Sequence, residues 1–326
     1  DLAEVLAHHR WAAHEIARTI GMDTAPYAPA ARDALHRAAR RAYELHALDT
    51  AATLVGRALA LGVGPDPALE LFDAELAFYR DRDAFLVGGG TDTLTRLAER
   101  LTETGDRTGA ARAWTLLATA AWSRADRPTT LHHLDRAIGI YEELPDSQEK
   151  VGALLELARV RMLNAETDPA CAAAGSAAAL AQRLQLREAQ ANARITLAVA
   201  RYMAGSAEAF AELADVTEHC RVERLSSRRR AVQNLAWALQ EEGDLAGSAR
   251  LVDEQRSLDL GGEHSLATSF ADQWARAYYA GEWVSALAMA AESTRRPTAE
   301  WDLHIVAVSG WMRGLRTARP ADASEP

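Results

Sequence analysis

A period of about 40 residues constrains this sequence more than any other feature. Five apolar, helix-forming runs align on a central small residue, and the spacings between these residues are 40, 40, 38 and 39; they are Ala118, Ala158, Ala198, Ala236 and Ala275. About seven residues after each one, a Gly, Asp or Ala interrupts the run, and a second run with small or branched residues follows. The chain is therefore expected to be an array of repeated units, each too small to bury a core alone.

The repeat pattern is that of tetratricopeptide (TPR) repeats, in which two antiparallel helices meet at small residues and large side chains fill the remaining space. The stretch from residue 111 fits positions 4, 7, 8, 11, 24 and 27 of the 34-residue pattern with Trp114, Leu117, Ala118, Ala121, Leu134 and Ala137. We predict an all-α fold, a right-handed TPR-like superhelical solenoid of about seven antiparallel helix pairs with a period near 40 residues.

Shifts in composition and interruptions of the helical pattern divide the chain into five predicted segments. We expect an N-terminal helix and connector from a preceding domain over 1–28, degenerate TPR-like helix pairs over 29–106 and TPR-like repeats over 107–297. A C-terminal capping helix over 298–317 and a disordered tail over 318–326 complete the prediction. Because the chain begins without Met and inside a helical pattern, we expect it to be an excised part of a longer protein.

The net charge of −10 makes nucleic acid or an anionic membrane an unsuitable partner for the chain as a whole. The two cysteines show no metal-binding spacing and predict no disulfide framework. No apolar run reaches the roughly 18 residues that a membrane span needs, and no signal peptide opens the chain. These features predict a cytoplasmic protein.

No residue pattern supports catalysis, a metal or a cofactor. The adjacent histidine pairs His8/His9 and His132/His133 point about 100° apart on a helix, so neither pair suits one metal ion. The glycine triplet in "LVGGGTD" lacks the Lys and the preceding strand of a phosphate-binding loop and is interpreted as a turn. We predict a non-enzymatic protein.

The first helix of each repeat lines the concave surface of a TPR solenoid, through positions 2, 5, 9, 12 and 13. The register converts these positions into ten candidate partner-binding residues: Arg112, Trp122, Arg159, Asn192, Tyr202, Arg230, Gln233, Trp237, Arg276 and Tyr279. Arginine beside an aromatic ring can hold a carboxylate while the ring packs on an apolar neighbour. We therefore expect a protein or peptide partner of acidic character, although the same positions also suit packing between repeats.

Two tryptophans in "ARAWTLLATAAW" test this register. Trp114 and Trp122 are eight residues apart, which turns the helix about 80° past two full turns. We predict that Trp114 fills the core and that Trp122 faces the groove.

A cluster of arginines between Arg221 and Arg230 has two interpretations. We favour a solvated corner whose charges pair with Glu218 and Glu223. The alternative is a basic patch for a phosphorylated or acidic partner.

The segments "DLAEVLAHHRWAAHEIAR" and "LHRAARRAYELHALDTAATLVGRALAL" resemble the region after the ATPase core in large actinobacterial signal-transduction ATPases (STAND proteins). Those proteins join the ATPase, often with a class III nucleotidyl cyclase, to a TPR tail, and ATP-dependent transcription activators that end in a helix-turn-helix have a similar sensor region. The resemblance implies a sensor or regulatory arm of a larger signalling or transcription regulator. Two alternatives stay open: a small-molecule inducer pocket near Tyr202, Trp237 and Tyr279, and a self-assembly module of the parent protein.

Overall fold

The computed structural model describes residues 2–258, 273–293 and 308–312, and every regular element among them is an α-helix. The predicted tail 318–326 and all but the helical residues 308–312 of the predicted capping helix 298–317 lie outside the described residues. Numbered in chain order, the helices are α1 (Leu2–Thr19), α2 (Ala28–Glu44), α3 (Leu48–Ala60), α4 (Pro67–Arg80), α5 (Arg82–Val87), α6 (Gly90–Glu103), α7 (Arg107–Ser123), α8 (Arg127–Glu142), α9 (Gln148–Leu163), α10 (Thr167–Arg183), α11 (Arg187–Met203), α12 (Ala209–Val222), α13 (Arg228–Glu241), α14 (Leu245–Leu258), α15 (described over 273–279) and α16 (Trp283–Ser293).

After α1, the helices alternate between first and second members of consecutive pairs. The first helices are α2, α4, α7, α9, α11, α13 and α15, and the short α5 is an addition between α4 and its partner α6. The predicted all-α fold of repeated helix pairs is confirmed. The chain divides into two compact units: the first comprises residues up to 164 together with 172–189, and the second comprises 165–171 and the residues from 190 onward.

The turn between helices is built in the same way from repeat to repeat. Nearly every turn contains one residue with a left-handed φ between 53° and 84°; these residues are His46, Gly105, Ala125, Ala165, Gln185, Gly205, Arg224, Gly243 and Gly281. In seven of these turns the next residue donates its N–H back to a carbonyl five positions earlier, as Asp126 does to Ala121 at 3.0 Å. The interruptions about seven residues after the aligned alanines are therefore helix C-caps.

The aligned small residues lie in the core. Ala118 and Ala158 are completely buried, and Ala198 and Ala236 are nearly so, whereas Ala275 is half-buried. Small or branched residues of the second helices α8 and α10 are also fully buried: Thr130, Leu134, Ala137, Ala170, Ala174 and Ala177. Small side chains let the two helices of a pair approach closely, so the 40-residue period is the spacing of helix contacts.

Trp114 is the largest fully buried side chain of the first unit, with 2% of its surface exposed. The Arg136 guanidinium lies 3.7 Å above its ring centroid, and the His133 ring is 5.3 Å away on the same second helix, α8. The prediction that Trp114 fills the core is confirmed.

The repeat that contains the additional helix α5 has a large residue at the position where the other repeats align on a small one. Phe78 stands forty residues before Ala118, where the other first helices carry a small residue, and it is 4% exposed. The Phe85 ring of α5 packs against it edge to face, with centroids 5.6 Å apart. A phenyl ring needs more room than a methyl group, and α5 supplies the apolar surface that covers it.

The sequence Gly-Asp-x-x-Gly leads into two helices, into α7 from Gly105 and into α14 from Gly243. In α7 the Asp106 carboxylate caps the helix by accepting from the Gly109 N–H at 2.9 Å. A Cβ at Gly109 would lie 2.5 Å from an Asp106 carboxylate oxygen and 3.0 Å from a Leu101 methyl carbon, so the second glycine makes room for the cap.

Gly109→Ala is therefore expected to lower the unfolding free energy by about 1 kcal/mol, the usual worth of an N-cap, although alanine is the better helix former. Chemical denaturation followed by circular dichroism measures this. The matched control is Gly139→Ala in α8, where a Cβ meets nothing within 4 Å, and a gain of about 0.5–1 kcal/mol is expected there. A stabilised Gly109→Ala variant would contradict this role of the cap.

Among the described helices, none has the combination of length and apolar character that crossing a membrane requires.

Candidate functional site

In the first unit, consecutive first helices are joined by a charged contact. One terminal nitrogen of Arg112, on α7, donates to both carboxylate oxygens of Glu75, on α4, at 2.6 and 2.7 Å. The two side chains are only 20% and 13% exposed. Arg112, a predicted partner-binding residue, is therefore already engaged by a carboxylate of its own chain.

Tyr79 lies one turn beyond Glu75 on α4, and 51% of it is exposed. Even so, surrounding protein raises the pKa of its phenol to about 12, first through desolvation and then through Tyr43, Glu75 and Glu156, with Arg112 acting in the opposite direction. Tyr79 is therefore exposed on one side and desolvated by neighbouring protein on the other. The groups that act on it electrostatically come from four successive first helices, α2, α4, α7 and α9.

Trp122 is not the exposed groove aromatic that the register predicts, since only 8% of it is accessible. The Arg159 guanidinium, from the next first helix, covers the ring at 5.0 Å from its centroid. Arg159 also donates to Glu156 at 2.6 and 3.0 Å. The Arg159–Glu156 pair therefore forms the surface at this position, and the Trp122 indole lies beneath it.

These contacts define a surface that we call the first-helix face of the first unit. It consists of Tyr43, Glu75, Tyr79, Arg112, Glu156 and Arg159. Sequence reasoning identified Arg112 and Arg159 but missed Tyr79 and both glutamates. The period could have identified Tyr79, because Tyr79, Thr119 and Arg159 are spaced by forty residues. The repeat around Tyr79 is hard to align, however, because Phe78 replaces the small residue on which the other repeats align.

In the second unit, Arg230 connects α13 to α11. Its guanidinium donates to the backbone oxygen of Asn192 at 3.0 Å, to the Asn192 side-chain oxygen at 3.3 Å and to the Thr196 hydroxyl at 2.7 Å. Arg230 and Asn192, both predicted partner-binding residues, therefore bind each other and connect neighbouring repeats. Gln233, one turn further along α13, is half-buried.

Three of the predicted aromatic residues converge at the ends of the second-unit first helices. The Tyr202 and Trp237 rings are 5.4 Å apart and nearly perpendicular. Tyr202 donates to Glu242 at 2.9 Å, and Tyr279 donates to Glu241. A cleft of about 530 Å³ opens beside Tyr202 and Trp237.

Arg276 does not join this group. It lies on the first helix α15 and pairs at 3.0 Å with Asp253 on α14, which is a second helix.

The arginine cluster forms intramolecular pairs. Arg221 binds Glu218 at 2.5 Å, and Arg228 binds Glu254 at 2.9 Å. The Arg221–Glu218 pair, with both side chains more than half exposed, fits the predicted solvated corner.

The remaining motifs have structural explanations. Gly89 has a left-handed φ of 77° just before α6, and a Cβ on Gly90 would lie 2.6 Å from the Phe85 ring, so the glycine triplet is a tight turn. Among the described residues, no three His, Cys, Asp or Glu side chains group as metal ligands.

No protein-family model and no curated protein matches the sequence. Solved structures do match. A Rap protein, solved in complex with competence and sporulation factor, is 14% identical; the match covers 88% of this chain and 87% of that one, with a TM-score of 0.57. The apo form of RapI is 10% identical, with 98% and 99% covered and a TM-score of 0.54. A kinesin light chain protein of Podosopora anserina with nearly identical TPR-like repeats is 18% identical, with 60% and 96% covered and a TM-score of 0.50.

The chain has a TPR-like repeat fold. At these identities the likeness concerns the fold alone.

Proposed function

We propose that this chain is a non-catalytic binding module whose first-helix face in the first unit holds a segment of a partner protein. The observation that supports this most strongly is the half-exposed Tyr79, which lies one turn from the Glu75–Arg112 pair and is influenced electrostatically by groups of four successive first helices. Tyrosine is a frequent interface anchor because it combines a large apolar ring with a polar end. The Rap complex with competence and sporulation factor supports a binding role for the fold.

The charges on this face favour a partner of mixed charge over a strongly acidic one. Both of its arginines already contact a glutamate, Arg112 with Glu75 and Arg159 with Glu156. A partner carboxylate would have to compete with these pairs, whereas a backbone carbonyl can accept from the Arg112 nitrogens that do not bind Glu75.

The proposal is tested by selecting a displayed random-peptide library on the full chain and measuring the enriched peptides by calorimetry. Tyr79→Ala is expected to weaken binding at least about tenfold, the effect of losing a central aromatic contact. The matched control is Tyr27→Ala, at a tyrosine that is 36% exposed and lies outside the face. Enriched peptides that bind Tyr79→Ala as well as the unmodified chain would contradict the proposal.

Small-molecule sensing is a second candidate function, favoured by the cleft beside Tyr202 and Trp237 in the second unit. Its volume lies within the usual range for ligand sites.

A self-assembly role is a third candidate, and it is supported by an apolar stripe on α1. Val5 and Ile16 share one side of this helix and are 50% and 61% exposed, and Ile20, just after the helix, is 63% exposed. We also propose, from the resemblance of the first 60 or so residues, that the module serves as a regulatory arm of a cytoplasmic ATPase-type regulator.

A further inference from the structure

The cleft in the second unit is walled by aromatic rings. It opens between the end of α11, the start of α12 and the end of α13, and is lined by Tyr202, Phe210 and Trp237. Tyr202 and Trp237 meet at an interplanar angle of 81°, so they form two adjoining walls of a box. Neither ring is fully buried, which leaves both accessible from the cleft.

The same cleft is negatively charged. Glu241 and Glu242 line it, and none of the described lining residues carries a positive charge. Arg201, beside Tyr202 in sequence, is bound to Glu212 at 2.7 Å. Helices α11 and α13 end here with partial negative charge and α12 begins here with partial positive charge, so the two glutamates supply the net charge of the cleft.

Hydrogen bonds hold the carboxylates in place without neutralising them. Tyr202 donates to Glu242 at 2.9 Å, and Tyr279 donates to Glu241. Desolvation and Glu242 raise the pKa of Tyr202 to about 12, so the phenol remains a donor at neutral pH. A neutral donor leaves the full charge of the carboxylate for a ligand.

We propose that this cleft binds an organic cation of the alkylammonium or guanidinium type, with its charge against the Tyr202 and Trp237 rings and beside Glu241 and Glu242. Aromatic faces attract such cations, and flanking carboxylates strengthen the preference. The inference rests on the second candidate function and specifies the ligand class for it. The cation can be a free amine or a side chain of a peptide, since both present the same chemistry.

The test compares cations with neutral molecules of the same shape on the full chain, by calorimetry at constant ionic strength. Choline is paired with 3,3-dimethyl-1-butanol, and a capped Gly-Lys-Gly tripeptide is paired with its norleucine counterpart. At least one cation is expected to bind about tenfold more tightly than its neutral match, and Trp237→Leu should remove about that factor. Glu242→Gln, at an exposed position, should weaken binding several-fold without affecting folding. Trp311→Leu, at a tryptophan that is 56% exposed and outside the cleft, is the control.

The outcomes separate the inference from the function on which it rests. Equal affinity for cation and neutral match overturns the preference for cations but leaves a ligand cleft, and absence of binding by all four probes overturns both. Cation affinity that neither Trp237→Leu nor Glu242→Gln changes overturns the location. Selective binding of choline alone supports a free amine, and selective binding of the lysine peptide alone supports a side chain.

Discussion

Replacing Trp114 by alanine is expected to lower the unfolding free energy by about 3–5 kcal/mol, the usual cost of deleting a buried indole. The ring is 2% exposed and sits between two helices of one pair, with Arg136 at 3.7 Å. The loss combines the apolar contacts, the cavity left behind and the contact between guanidinium and ring. Denaturant unfolding followed by circular dichroism at 222 nm measures it.

Trp311→Ala is the matched control and should change stability little, because its ring is 56% exposed. Trp122→Ala should also destabilise the fold, since that ring is 8% exposed beneath Arg159. A Trp114→Ala variant as stable as Trp311→Ala would contradict the packing of the first unit.

Arg230→Ala is expected to lower the unfolding free energy by about 1.5–3 kcal/mol, the range for hydrogen bonds that involve a charged group. Its guanidinium donates three hydrogen bonds to Asn192 and Thr196 across the interface between α13 and α11. The register alone would make Arg230 a binding residue whose loss leaves stability unchanged, so the structure reverses that expectation.

The control for this variant is Arg250→Ala, at an exposed arginine on α14. Because neighbouring repeats stabilise one another, hydrogen exchange should show the loss of protection in Arg230→Ala concentrated in α11 and α13. Unchanged protection there would contradict the connecting role of Arg230.

The fold could be predicted because its signal repeats. The alanines that mark the closest helix contacts and the left-handed turn residues about seven positions later recur through the array, and each is a local consequence of packing two helices. Trp114 was placed correctly for the same reason, since its contacts with His133 and Arg136 lie within its own helix pair.

The site could be predicted only in part, because its geometry depends on the neighbouring repeat. The rotation of Trp122 relative to Trp114 says nothing about Arg159, a residue of the next repeat that covers the ring. Arg112 was selected as a groove residue, but its partner Glu75 lies 37 residues earlier, in a repeat whose alignment Phe78 obscures. Sequence periodicity indicates which helix face a residue occupies and does not indicate which side chain of the adjacent repeat reaches it.

The central claim is that a partner segment lies on the first-helix face of the first unit. Hydrogen exchange on the full chain with and without an enriched library peptide tests it most directly. The account predicts added protection in α4, α7 and α9, which carry Tyr79, Arg112 and Glu156, and none in the second helices α6 and α8. Protection confined to the second helices, or to the second unit, would contradict it.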